Sequence, residues 1–184
     1  MMWSLRHAQT TQDLRNILAL QQANMKTALS EEEKKKEGFI TVQHTLEQLE
    51  EMAALAPQIM AYGGDDLAGF ALVMSPEMRG TIPVLRPLFA LIDNLRFNDK
   101  PLAEQRYYVM GQVCVHKEYR GKGVFKALYA HHKKVLSEKY QCCITEISTA
   151  NRRSMRAHEK VGFQNIHTYT DPLDEWHVVL WDWR

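Results

Sequence analysis

Val113-Cys114-Val115-His116-Lys117-Glu118-Tyr119-Arg120-Gly121-Lys122-Gly123-Val124-Phe125 joins three local patterns in one stretch. Tyr107 to Val115 is a β-forming run and reads as a strand. From Gly123 to Glu138, Val124, Ala127, Leu128, Val135 and Leu136 recur at helical spacing. Between them lies a short turn with two glycines. The first amides of a helix have no partner within it, and the helix dipole adds partial positive charge there. Glycine lets a ligand approach the backbone without meeting a Cβ, and Arg120, Lys122 and Lys126 add local charge. This order predicts a phosphate or pyrophosphate site built from amides. It is not the G-x-x-x-x-G-K-[ST] loop, because Val124 follows Gly123, and it breaks G-x-G-x-x-G at Lys126.

Outward from this turn, Cys142 to Ser148 reads as a strand. A helix follows over residues 151–160, opened by Asn151 and ended by Gly162. Gln164 to Tyr169 and His177 to Trp183 close the chain as strands. Upstream, a strand at Trp3 to His7 leads into Thr10-Thr11-Gln12-Asp13, where a Thr can cap a helix and the acid sits in its first turn. Ser30-Glu31-Glu32-Glu33 is a capping-box spelling, and Lys34, Lys35 and Lys36 after it read as a solvated helix face. Thr45-Leu46-Glu47-Gln48 is a second capping box, opening a helix that Pro57 stops. Gln58 to Tyr62 and Leu67 to Met74 flank Gly63-Gly64-Asp65-Asp66 and predict a hairpin. Residues 77–105 break the rhythm, with Pro83, Pro87 and Pro101 around a helix-like Leu88 to Leu95, and read as an insertion packed over the core. The expected architecture is one α/β domain over residues 1–184, with a mixed sheet and the order β-α-α-β-β-β-α-β-α-β-β.

Two blocks carry a family resemblance. Arg120 and Gly123 match [Q/R]-x-x-G-x-[G/A] at a strand-to-helix turn, with Phe125 in place of the last small residue. Asn151-Arg152-Arg153-Ser154 and His158-Glu159-Lys160-Val161-Gly162-Phe163 match N-x-x-[S/A] and Y-E-K-x-G-F, with His158 where the tyrosine stands. With both blocks in order, the chain resembles the GNAT superfamily of acyl-CoA-dependent N-acyltransferases. The resemblance implies a splayed central sheet flanked by helices, with acetyl-CoA between the strands ending at Val115 and beginning near Cys142. It implies that backbone groups of Val113 and Val115 pair with the pantetheine arm. Amides of Gly121, Lys122, Gly123, Val124, Phe125 and Lys126, with Arg120 beside them, would hold the pyrophosphate. Asn151 and Ser154 would lie near the thioester. Asn151 also reads as an N-cap and Ser154 as a first-turn residue.

The implied reaction moves an acetyl group from acetyl-CoA to a primary amine of a small molecule or peptide by direct attack. The acyl carbonyl must be polarised, the ammonium must lose a proton, and the departing thiolate must be stabilised. His158 is the candidate general acid for that last need. No carboxylate lies between Tyr107 and Val115, so the base stays open among Glu146, acids such as Asp93, and a water chain. The rival reading is an acyl-CoA-binding or sensing module with little or no catalysis.

Of 184 residues, 23 Lys and Arg stand against 22 Asp and Glu, so the net charge is +1 and nothing pulls the molecule as a whole toward nucleic acid or an anionic membrane. A composition 45% hydrophobic and 24% charged excludes a disordered tail, a collagen-like fibre and a disulfide scaffold. No leader pattern and no apolar run of ~20 residues is present, so neither secretion nor membrane insertion is expected. Cys114, Cys142 and Cys143 form no CxxC pair and read as reduced, buried thiols in a cytoplasmic protein. No metal site is expected, because His131 and His132 cannot share a helix face. Arg152, Arg153 and Arg156 read as a solvated face. Partners are acetyl-CoA and an amine acceptor, and a homodimer is compatible with the sequence.

Overall fold

A computed structural model describes residues 3–28, 30, 32, 39, 40, 42–83, 86–172 and 174–184. In chain order the first elements are β1 (Ser4–His7), α1 (Thr11–Ala23), α2 (Leu46–Leu55), β2 (Ile59–Gly63), β3 (Asp66–Met74) and α3 (Arg86–Asn94). Then come β4 (Arg96–Phe97), β5 (Lys100–Pro101), β6 (Tyr107–Val115), α4 (Val124–Leu136) and β7 (Cys142–Ser148). The chain ends with α5 (Arg152–Val161), β8 (Gln164–Thr170) and β9 (Glu175–Asp182). Apart from Ser30 and Glu32, the stretch 30–36 with its capping-box spelling and lysines lies outside the described residues.

The helices begin where their caps place them. Thr10 accepts from the Asp13 amide while the Asp13 carboxylate accepts from the Thr10 amide, and Thr45 and Gln48 repeat the exchange at α2. These reciprocal bonds satisfy amides that the helix cannot. Arg6 donates twice to Asp13, at 2.7 and 3.1 Å, tying β1 to α1 and holding the carboxyl well below its usual range.

The main sheet runs β1-β2-β3-β6-β7-β9-β8. Its one parallel contact among the described strands, β6 with β7, matches only Tyr107 with Cys142, Tyr108 with Cys143 and Val109 with Ile144. Beyond that the strands part. A bulge lies on the other side of β6, where Leu72 pairs with Gln112 and Val73 with Met110, leaving Gly111 as an extra residue. Such a bulge bends and twists its strand. A Cβ on Gly111 would sit 3.1 Å from Met74 Cε and 3.3 Å from Met52 Cε, so glycine suits the bend. At the parting point Thr145 Oγ1 donates to the Met110 carbonyl at 3.1 Å, replacing a ladder bond with a side-chain bond.

Both faces of the sheet carry a core. Leu14, Ile17, Leu49, Met52 and Phe89 pack one face beneath α1, α2 and α3. Val124, Leu128, Tyr129 and Leu136 of α4 pack the other. Cys142 joins the first core and Cys143 the second, and all three cysteines are free and buried. The segment 77–105 carries α3 and also a two-residue hairpin, β4–β5, turned by Asn98 and Asp99 at φ 51° and 60°. Among the described residues no helix is long and apolar enough to cross a membrane.

Candidate active site

Two cavities open where β6 and β7 part. The larger, about 440 Å³, runs along Val113 to Val115, the glycine turn and one flank of α5. The smaller, about 100 Å³, lies between Val109–Val113 and Thr145–Ser148, with Leu88 and Trp176 on its walls. They meet at Phe39, Ile40, Val113, Asn151 and Ser154, which line both.

At the outer end, Gly121 and Gly123 take φ 73° and 88°, the left-handed region that side chains rarely adopt. The first backbone bond of α4 runs from the Ala127 amide to the Gly123 carbonyl at 3.0 Å. The amides of Val124, Phe125 and Lys126 therefore lie ahead of the helical ladder and are open to a ligand. The turn is braced from outside: Trp3 Nε1 donates to the Lys122 carbonyl at 3.3 Å, and Tyr119 Oη donates to Asp66 at 2.9 Å. Arg120 Nε donates to the Val115 carbonyl at 3.2 Å, and its Nη2 bonds Asn24 Oδ1. All the expected cofactor-binding residues except Lys122 line this cavity. Lys122 instead turns its amide to the Tyr119 carbonyl and its ammonium over the Tyr119 ring.

Val113 and Val115 owe their place to strand alternation. His116 donates to the Ala68 carbonyl on the β3 side. In an antiparallel ladder alternate residues face alternate neighbours, so Val113 and Val115 turn their peptide groups toward the gap left by β7. Phe125 points its ring into protein, 5.0 Å from both Tyr129 and His158. Arg152 and Arg156 are exposed, as the expected solvated face requires, while Arg153 is half-buried; Arg153 and Arg156 also line the larger cavity.

His158 is buried and lines the smaller cavity. Its Nε2 lies 2.7 Å from Tyr129 Oη, and its Nδ1 lies 2.8 Å from the Ser154 carbonyl. Burial lowers its pKa to about 4. Near neutral pH the ring is uncharged and both nitrogens are engaged within the protein, an unfavourable setting for the general acid expected there. Asn151 caps α5, accepting from the Ser154 amide at 3.2 Å, and donates to the Phe39 carbonyl.

Glu146 is the carboxylate that the fold brings to the smaller cavity. Burial raises its pKa, while a 2.5 Å hydrogen bond from Tyr169 Oη opposes that rise. Asp93 pairs with Arg79 at 2.8 Å and lines neither cavity. Gln112 accepts from Gln21 Nε2 at 2.7 Å and donates to the Val42 carbonyl at 2.8 Å, stitching α1 and the chain before α2 to the bulged strand. The same Gln21 Nε2 bonds His44 Nδ1 at 2.7 Å. Nothing in the local patterns pointed to this network, because its members are far apart in sequence. Among the described residues no group of three or more His, Cys, Asp or Glu could hold a metal ion.

A splayed β6–β7 pair, a glycine turn with open amides and a half-buried carboxylate beyond the junction fit a protein of the acyltransferase class. The model of the acetyltransferase (GNAT) family matches residues 24–163, and the chain belongs to that family. No curated protein matches it in sequence. Among solved structures it is similar to an N-acetyltransferase from Staphylococcus aureus Mu50, at 19% identity, TM-score 0.65 and full coverage (100%) of both chains. It is also similar to Ard1 from Thermoplasma volcanium, at 12% identity and TM-score 0.65, covering 98% of this chain and 97% of that one. A third is the ribosomal-protein-S18-alanine N-acetyltransferase from Escherichia coli, at 12% identity and TM-score 0.60, covering 98% and 94%. At these identities the likeness concerns the fold.

Proposed function

We propose that the protein transfers an acetyl group from acetyl-CoA to a primary amine by direct attack. The observation that carries this reading is the meeting of the two cavities at Val113, Asn151 and Ser154, with open amides at one end and Glu146 at the other. Acetyl-CoA would supply an acyl group already activated as a thioester. The residues suit it: the Gly121 and Gly123–Lys126 amides aim at a pyrophosphate, and Arg120, Lys126, Arg153, Arg156 and Lys160 add positive charge. The peptide edge at Val113 and Val115, where Arg120 Nε already holds the Val115 carbonyl, offers an extended arm a strand to pair with, and an amide there polarises the acyl oxygen. Glu146 takes the ammonium proton, its pKa raised toward that task by burial. Leu88 brings the segment 77–105, read as an insertion, to the acceptor side. The setting is read as cytoplasmic, with Cys114, Cys142 and Cys143 reduced.

Acetyl-CoA titration should raise the melting temperature saturably, and thiol release should appear with at least one member of a panel of primary amines. Absence of saturable binding would overturn the reading. Binding with silence across the whole panel would instead favour a sensing module without catalysis.

A further inference from the structure

The tautomer of His158 is fixed by its surroundings. The Ser154 carbonyl can only accept, so Nδ1, 2.8 Å away, carries the ring hydrogen. The neutral ring then leaves Nε2 as the acceptor, and Tyr129 Oη donates to it at 2.7 Å. Ser154 Oγ lies 3.3 Å from that same Nδ1 and therefore faces a hydrogen, not a lone pair. Its own hydroxyl hydrogen must point away from His158, and among the described residues it meets no protein acceptor. Ser154 also stands at the junction of the two cavities, where the Asn151 side chain is already engaged by the Ser154 amide and the Phe39 carbonyl.

We propose that Ser154 is a catalytic residue whose hydroxyl donates a hydrogen bond to the departing CoA sulfur, and that His158 is the positioning residue that aims it. The proposal rests on the acetyl-transfer reading above. In the step, the amine nitrogen forms the new bond to the acyl carbon, and the C–S bond breaks with its electron pair passing to sulfur. The ammonium proton leaves through Glu146 to solvent. Ser154 keeps its own proton and stabilises the thiolate, which solvent later protonates. The tyrosine of the family pattern is thus replaced by two residues one helical turn apart, one donating and one orienting.

The test uses free CoA, the product, so it needs no knowledge of the acceptor. The thiolate absorbance of protein-bound CoA is titrated between about pH 6 and 9.5, against protein alone, in the wild type and in Ser154→Ala. Cys114 and Cys142 stay silent in this range, since burial holds both near 12, and Cys143 is pushed higher still. The cations lining the larger cavity are common to both proteins and cancel in the difference. Loss of one hydrogen bond to a charged sulfur should raise the bound thiol pKa by about one unit, a roughly tenfold change. With any productive amine, kcat should fall about tenfold or more while KM for acetyl-CoA stays within about twofold.

His158→Phe should raise the thiol pKa as Ser154→Ala does, and combining the two should add nothing further. His158→Asn, which keeps a donor near the Nδ1 position, should restore the wild-type value. Equal thiol pKa values in the wild type and Ser154→Ala would overturn the proposal. Failure of the wild type to bind CoA would instead remove the acyl-CoA reading itself, a distinguishable result. If the His158 variants do not fold, Ser154→Ala decides alone, since it removes one hydroxyl and keeps the Ser154 amide that Asn151 caps.

Discussion

Glu146 sits under three competing influences. Burial pushes its pKa up, the hydrogen bond from Tyr169 pulls it down, and the charge of Asp171 pushes it up again. A base must be deprotonated to act, so activity should rise with pH through the Glu146 titration, above the ordinary carboxylate range. Tyr169→Phe removes a bond that favours the charged form, so that rising limb should move to higher pH; Asp171→Asn should move it lower. Glu146→Gln should lower kcat about 100-fold and abolish the limb. A pH–rate profile of thiol release from acetyl-CoA checks all three, and an unmoved limb in Tyr169→Phe would assign the titration to another group. Glu146 was nameable from sequence as one candidate among several. Its selection needed the three-dimensional facts that Asp93 is paired with Arg79 and that Glu146 alone of the two lines the cavity.

Among the elements, the glycine turn and α4 act as a unit. Gly123 is at φ 88° and its surroundings are open, with Trp3 Nε1 the nearest atom to an added Cβ, at 4.0 Å. Gly123→Glu therefore adds both backbone strain and a negative charge beside the amides. It should abolish the acetyl-CoA-induced rise in melting temperature while the protein remains folded, as far-UV circular dichroism would show. This unit was readable from Val113 to Phe125 because its chemistry is local: a strand, two glycines and a helix start within a few residues. The capping boxes at Thr10 and Thr45 were readable for the same reason. The β4–β5 hairpin was not, because two-residue strands carry no alternation and only the positive φ of Asn98 and Asp99 defines the turn. The Gln21–His44–Gln112 network was equally hidden, since Gln21 and Gln112 lie 91 positions apart. His158 was found by its place in a motif, but its bonds to Tyr129 and Ser154, and hence its neutrality, emerge only when α4 and α5 pack.

For the molecule as a whole, the net charge of +1 sets no long-range field, and the positive charge a polyanionic ligand needs is gathered locally around the larger cavity. The parting of β6 from β7 coincides with a single surplus residue in β6. Val109 belongs to one core and Met110 to the other; Gly111 and Gln112 both face the first; Val113 returns to the second and Cys114 to the first. Parity is therefore broken once and restored at once, and every side chain except the glycine stays on the face it would have in a regular ladder. Excising Gly111 would then leave both cores correctly sorted while straightening β6 and letting it zip further along β7 past Ile144. The expected product is a protein that melts cooperatively near the parent temperature yet shows no acetyl-CoA shift; a retained shift would place the origin of the splay elsewhere. On that expectation, a continuous sheet and a splayed one differ in this fold by the length of one peptide unit.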